Sequence, residues 1–299
     1  YEMFMGLVGS EMCIRDSPKS GWVEHNPQEI IASTVNCIEY VIKKSGIGQN
    51  DIVTAGITNQ RETILAWNKK TGDPVYNAIV WQDRRTEYIC QSLRDKNYQD
   101  LIQLKTGLII DPYFSASKIQ WILEHVDEAK LLASNNNLLI GTIDTWLIWN
   151  LTNKQSHFTD ATNASRTMIY NINDDQWDEE LLEIFSIPKN ILPEVKNSMD
   201  DFGKINKDFF GYEIPIQGVA GDQQAAAFGQ LCFEKGMVKS TYGTGCFMLM
   251  NTGQEVNRSQ NKLLSTTAFK SKDKKMYALE GSIFNAGTVV QWMLSLIHI

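Results

Sequence analysis

The stretch "GVAGDQQAAAFGQLC", residues 218–232, places a carboxylate where two kinds of chain meet. With "IPIQ" (214–217) in front of it, its first part reads as a strand. After Asp222 an Ala-rich run favours a helix. Strands that give way to helices at polar turns build α/β proteins, whose ligand sites lie at the carboxyl ends of the strands. The unit recurs along the chain. "DIVTAGIT" (51–58) reads as a buried strand ending in the polar loop "NQRE". "AIVWQDRRT" (78–86) is a short strand entering a helix over 86–93. "NLLIGTIDTWLIWNL" (137–151) reads as a strand, a turn and an amphipathic helix. "MYALEGSIFNAGTVVQWM" (276–293) is a strand, a loop and the start of a helix.

Other segments complete this picture. Asn26-Pro27-Gln28-Glu29 is a helix start, with Asn as N-cap, Pro at N1 and Glu at N3. Ile31, Val35, Ile38 and Ile42 then recur at helical spacing up to Gly46. "TILAWNKKTGDPVY" (63–76) reads as a β-hairpin around residues 69–72. "YFSASKIQWILEH" (113–125) is helical, with Ile119, Ile122 and Leu123 on one side. "GMVKSTYGTGCFMLMNTG" (236–253) reads as two strands around a tight glycine turn. The polar segment 197–213 reads as a surface loop.

The 299 residues are 43% hydrophobic and 21% charged, which supplies ample apolar material for a core. The net charge of -7 and the lack of a basic run argue against nucleic acid as a partner. No apolar run reaches the roughly 20 residues that span a bilayer. Cys13, Cys37, Cys90, Cys232 and Cys246 are scattered without a CxxC pair, as in reduced cytoplasmic proteins. His25, His125, His157 and His298 never meet cysteine at zinc-ligand spacing, so no metal-ligating residue is assigned.

Several polar groups sit where chemistry is expected. Arg61 and Glu62 of "NQRET" offer fork donors and an acceptor, which suits a polyol; a surface ion pair is the alternative. Asp222 can take a proton from a hydroxyl nucleophile, or serve only as an N-cap. Thr241, Gly243, Thr244 and Gly245 form a turn whose N–H groups could hold phosphate oxygens, or a plain hairpin. Gly287 allows close approach of backbone to a ligand. Trp81, Tyr113 and Phe247 could wall a small pocket or belong to the core.

In combination and in this order, the motifs resemble a known family. "GITNQRET" (56–63), "YNAIVWQDRRT" (76–86), "TGLIIDPYFSASKIQWIL" (106–123), "GTIDTWLIWNLT" (141–152), "TDATNASRTM" (159–168), "GVAGDQQAAAFGQLC" (218–232), "TYGTGCFMLMNTG" (241–253) and "ALEGSIFNAG" (278–287) are similar to the glycerol-phosphorylating branch of the FGGY carbohydrate kinases. The resemblance covers nearly all of 18–293. It implies an α/β, actin-like ATPase (ribonuclease H-like) fold. It also implies an N-terminal glycerol-binding domain over 18–232 and the start of a nucleotide-binding domain over 233–293.

By the same resemblance, Arg61, Glu62, Tyr113, Asp222 and Gln223 would bind glycerol, and Trp81 and Phe247 would pack on its carbons. Asp222 would be the general base. Thr244, Gly287 and Gln291 would face ATP, with Mg²⁺ held largely outside this stretch. The implied enzyme is cytoplasmic and a homo-oligomer. The alternatives are another FGGY polyol or ketose kinase, and a non-catalytic polyol-binding module. Some family members bind fructose bisphosphate through an Arg just before the "IPI" strand. Here Glu213 stands at that point in "NKDFFGYEIPI" (206–216), so no such inhibition is expected.

The family's phosphate loop, Asp-x-Gly-Thr-Thr-Ser, has no counterpart in 1–17. Residues 11–17, "EMCIRDS", can be encoded by GAG ATG TGT ATA AGA GAC AGN. The reverse complement of GATGTGTATAAGAGACAG reads "LSLIHI", the last six residues, 294–299. Segments 1–17 and 294–299 are therefore expected to be translated library adapter. The polypeptide itself is expected to be inactive, with uncovered sheet edges and apolar helix faces.

Overall fold

The computed structural model describes residues 17–48, 51–243, 245–283 and 286–297. Residues 1–16, 298 and 299 of the adapter-like ends lie outside the described residues, as does Thr244.

Three larger sheets organise the described residues. The first is antiparallel, in the order Glu24–His25, Ala78–Ile79, Ile64–Asn68, Leu138–Thr142. The second orders Lys204–Ile205, Ile214–Gly221 and Ala55–Asn59, the last two strands parallel. The third is antiparallel, in the order Val238–Tyr242, Cys246–Gly253, Lys275–Ile283, Leu264–Lys270. The hairpin expected over 63–76 is present: Val75 N–H donates to Ala66 O at 3.0 Å and Trp67 bridges Pro74.

Strand Ile64–Asn68 is buried on both faces, which is why it reads as a continuous apolar run. Ile64 and Ala66 join Ile119, Ile122 and Ile140 in one core, while Leu65 and Trp67 join Trp146, Trp149 and Val219 in the other. Each fully buried large side chain contributes roughly 1.5–3 kcal/mol. The helix start at Asn26 is as expected: its Oδ1 accepts from Gln28 N–H at 2.9 Å, Pro27 opens the helix Pro27–Ser45, and Gly46 closes it at φ 66°.

Four sequence expectations are corrected. Helix Ile143–Leu151 is not amphipathic; every residue but Asn150 is buried, because it lies between the first two sheets. It starts directly after its strand, with no turn between. Strand Ala55–Asn59 is not buried: Gly56 and Thr58 are exposed, since among the described residues it pairs only with Ile214–Gly221. The segment 197–213 is no plain loop, because Phe202 and Ile205 are buried and a strand and a short helix form within it. Val290 and Trp292 on helix Gly287–Ile297 are exposed.

His157 supplies a pH-dependent term. It packs edge-on against Trp67 at 5.5 Å and its Nε2 lies 3.0 Å from Ile140 O. Burial pushes its imidazole from 6.5 down to about 4. The unfolded chain therefore binds the proton more readily between those values, and this contribution is lost as pH falls through the window. Urea denaturation at pH 7 and pH 4.5 should show the wild type losing roughly 1–3 kcal/mol more than His157→Gln. Equal losses would contradict the assignment.

Candidate functional site

Gly221 pairs with Asn59, so the two parallel strands end side by side in the second sheet. The turn after Asn59 delivers Arg61 and Glu62, and Asp222 follows Gly221 directly as the first residue of a helix. Gly221 has no Cβ for a reason: one there would stand 2.6 Å from Arg61 Cγ and Cδ. Glu62 adopts φ 60°, a left-handed conformation that costs a non-glycine residue about 1–2 kcal/mol. Two contacts hold it there: Arg166 Nε donates to Glu62 Oε1 at 2.6 Å, and Ser115 Oγ donates to Glu62 O at 3.0 Å.

Arg61 is buried and fully engaged. Its Nη1 and Nη2 donate to Glu280 Oε2 and Oε1 at 2.6 and 2.9 Å, a two-pronged pairing. Nη1 also donates to Gln224 Oε1 at 3.1 Å, and Nη2 to the Tyr113 hydroxyl at 3.4 Å. Nε lies 3.2 Å from Asp222 Oδ1 and 3.7 Å from Glu62 Oε1. A second buried guanidinium, Arg166, reaches Glu280 Oε1 at 3.1 Å. Burial alone would raise the Glu280 carboxyl, but Arg166 and Arg61 hold it down to about 2. Burial keeps the Tyr113 phenol far above its ordinary range, so it stands as a neutral O–H.

Asp222 is the accessible member of this cluster, with 45% of its side chain exposed against 2% for Glu62 and none for Glu280. It is the first residue of helix Asp222–Gly229, and Gly221 holds the N-cap position. Its Oδ1 accepts from Gln223 N–H at 2.8 Å and its Oδ2 from Gln223 Nε2 at 3.2 Å. The N-cap alternative therefore does not apply. The surface-pair alternative for Arg61 and Glu62 fails as well, because both are 2% exposed.

Tyr113 belongs to the core and Trp81 packs against it. Trp81 stands edge-to-face with Tyr113 at 5.6 Å and with Phe247 at 6.1 Å. On the glycine-turn side, Gly243 N–H donates to Gly245 O at 2.9 Å. Gly287 N–H donates to Gly243 O at 3.0 Å, tying the start of the last helix to the hairpin. Thr244 and the Gln291 side chain lie outside the described residues.

Glu280, Arg166, Gln224 and Lys239 escaped the sequence reading. The signal was there for two of them: Glu280 and Lys239 are lone charges inside otherwise apolar or small-residue strands, "MYALEGSI" and "GMVKST". A charge in such a place is buried only when paired.

Residues 8–229 match the N-terminal domain of the FGGY family of carbohydrate kinases, and residues 238–299 match its C-terminal domain. A glycerol kinase of Listeria monocytogenes serotype 4b (strain F2365) is 56% identical over 277 residues, 92% of this chain and 56% of that protein. One of Rhizobium meliloti (strain 1021) is 54% identical over 286 residues, 96% of this chain and 58% of that protein. The crystal structure of Plasmodium falciparum glycerol kinase with ADP superposes with a TM-score of 0.89 at 42% identity, covering 96% of this chain and 58% of that one. The chain thus spans little more than half the length of these relatives. With its α/β sheets, its paired polar turns and matches over both domains, the chain belongs to the FGGY family of carbohydrate kinases.

Proposed function

We propose that this chain forms the polyol site of an ATP-dependent glycerol kinase that makes glycerol 3-phosphate. The observation that carries the reading is the difference among the three carboxylates of the cluster. Glu62 and Glu280 are sealed by two arginines, while Asp222 faces solvent beside them. Of the three carboxylates, Asp222 offers the most exposed oxygen to a hydroxyl arriving from solution.

Glycerol has little apolar area, so its recognition depends on hydrogen bonds with matching donors and acceptors. Arg61, Glu62, the Tyr113 O–H and Gln223 surround the place where such hydroxyls would lie, and Trp81 and Phe247 offer surface to the carbons. Asp222 accepts the proton of a terminal hydroxyl as its oxygen forms the bond to the γ-phosphorus and the bond from that phosphorus to ADP breaks. Phosphoryl transfer of this kind depends on positioning and on charge neutralisation. The family resemblance assigns Thr244, Gly287 and Gln291 to ATP, and Gly287 N–H donates to Gly243 O at 3.0 Å. Mg²⁺ would neutralise phosphate charge. Among the described residues no group of three or more His, Cys, Asp or Glu side chains could hold it.

Turnover of the full-length protein containing this chain tests the reading, with ADP release followed on glycerol, dihydroxyacetone and xylulose. Glycerol should lead in kcat/KM by about tenfold or more. A lead for xylulose would identify a different FGGY kinase. Glycerol binding without any turnover would identify a binding module.

A further inference from the structure

Lys239 lies in strand Val238–Tyr242 with 1% of its surface exposed, while its neighbours Val238 and Ser240 face out. A buried ammonium is costly unless its protons are taken up. This one donates to Gln223 Oε1 and to Thr241 Oγ1, the latter at 2.7 Å. The first contact settles which way the Gln223 amide points. With its oxygen on the lysine, its nitrogen must face the Asp222 carboxylate, where Nε2 donates to Oδ2 at 3.2 Å. Reversed, the amide would turn its oxygen toward a carboxylate oxygen, and the two would repel.

We propose that Lys239 is a positioning residue for the Asp222 carboxylate, acting through the Gln223 amide. The proposal rests on the reading of Asp222 as the base. The Gln223 backbone N–H holds Oδ1 at 2.8 Å and the side-chain amide holds Oδ2, so the two donors together orient the carboxylate about its bond to Cβ. Lys239 also reaches Thr241, in the strand that leads into the turn at 243–245. One ammonium therefore ties the polyol-side base to the nucleotide-side hairpin. The charged groups around it are Arg61, Asp222 and Glu280, with the Cys232 thiol beyond. Burial and Arg61 favour the neutral amine, while Asp222 and Glu280 favour the ammonium.

The test compares Lys239→Met, Lys239→Arg, Gln223→Ala and the double variant Lys239→Met/Gln223→Ala in the full-length protein. Lys239→Met should lower kcat about tenfold or more and change the KM for glycerol by less than about threefold. Lys239→Arg, which keeps the donors, should recover most of the loss. In the Gln223→Ala background, Lys239→Met should cost less than about threefold more, because its route to Asp222 is already gone. Fully multiplicative losses would overturn the proposal. A second readout needs no turnover: Lys239→Met should shift the NMR signals of the Gln223 side-chain amide in the 299-residue chain. Unchanged signals would also overturn it. A wild type that ignores glycerol while these signals shift would sink the kinase reading and leave the contact chain standing.

Discussion

Glu280→Gln is expected to destabilise the protein by about 3–5 kcal/mol. The substitution keeps the shape and removes the charge. Arg61 and Arg166 are both buried and both point at this carboxylate, at 2.6, 2.9 and 3.1 Å. Glu62 can compensate only one of them well, through its 2.6 Å contact with Arg166 Nε. With Gln at 280 one carboxylate oxygen becomes an NH2 facing the guanidiniums, so an acceptor and the neutralising charge are lost together, and removing one partner of a buried pair costs more than the pair itself contributed. Urea denaturation of the 299-residue chain and of Glu280→Gln reads the difference. A change below about 1 kcal/mol would mean that water reaches the cluster.

Asp222→Asn should cut the turnover of the full-length protein by about 10²–10⁴-fold, the range of a positioned general base, while glycerol still binds. The variant keeps an oxygen for Gln223 N–H and loses the ability to take the hydroxyl proton. Steady-state kinetics with glycerol titration separates the two effects. Turnover within about tenfold of wild type would remove Asp222 as the base.

The helices and strands flanking the site were legible because their signals are local. The Asn26 cap, the hairpin over 63–76 and the strand-to-helix passage at Asp222 all follow from neighbouring residues. Burial in helix Ile143–Leu151 was not legible, because its surroundings come from two sheets far apart in sequence. Its polar residues Asp144 and Thr145 are both buried, and Asp144 accepts from Thr142 and Thr159 hydroxyls at 2.5 and 2.7 Å. The site divided in the same way. Arg61, Glu62 and Asp222 stand at strand ends, where position alone draws attention. Glu280, Arg166 and Lys239 act on them from elsewhere in the chain, and no spacing rule links "NQRET" to "ALEGS".

The pairing of Arg61 with Glu280 spans 219 positions, and that of Arg166 with Glu280 spans 114. On a ribosome adding ~5–20 residues per second, Glu280 follows Arg61 after on the order of 10–40 s. Until then Arg61, and Arg166 once it is made, must stay hydrated or share Glu62. The centre of the molecule therefore closes late, when strand Lys275–Ile283 arrives, and closing so distant a loop is slow in itself. A nascent chain that stalls before this strand leaves Arg61 and Arg166 to Glu62 and the half-exposed Asp222, without the buried carboxylate that pairs with both. That leaves it open to chaperones and proteases while the surrounding helices have already formed.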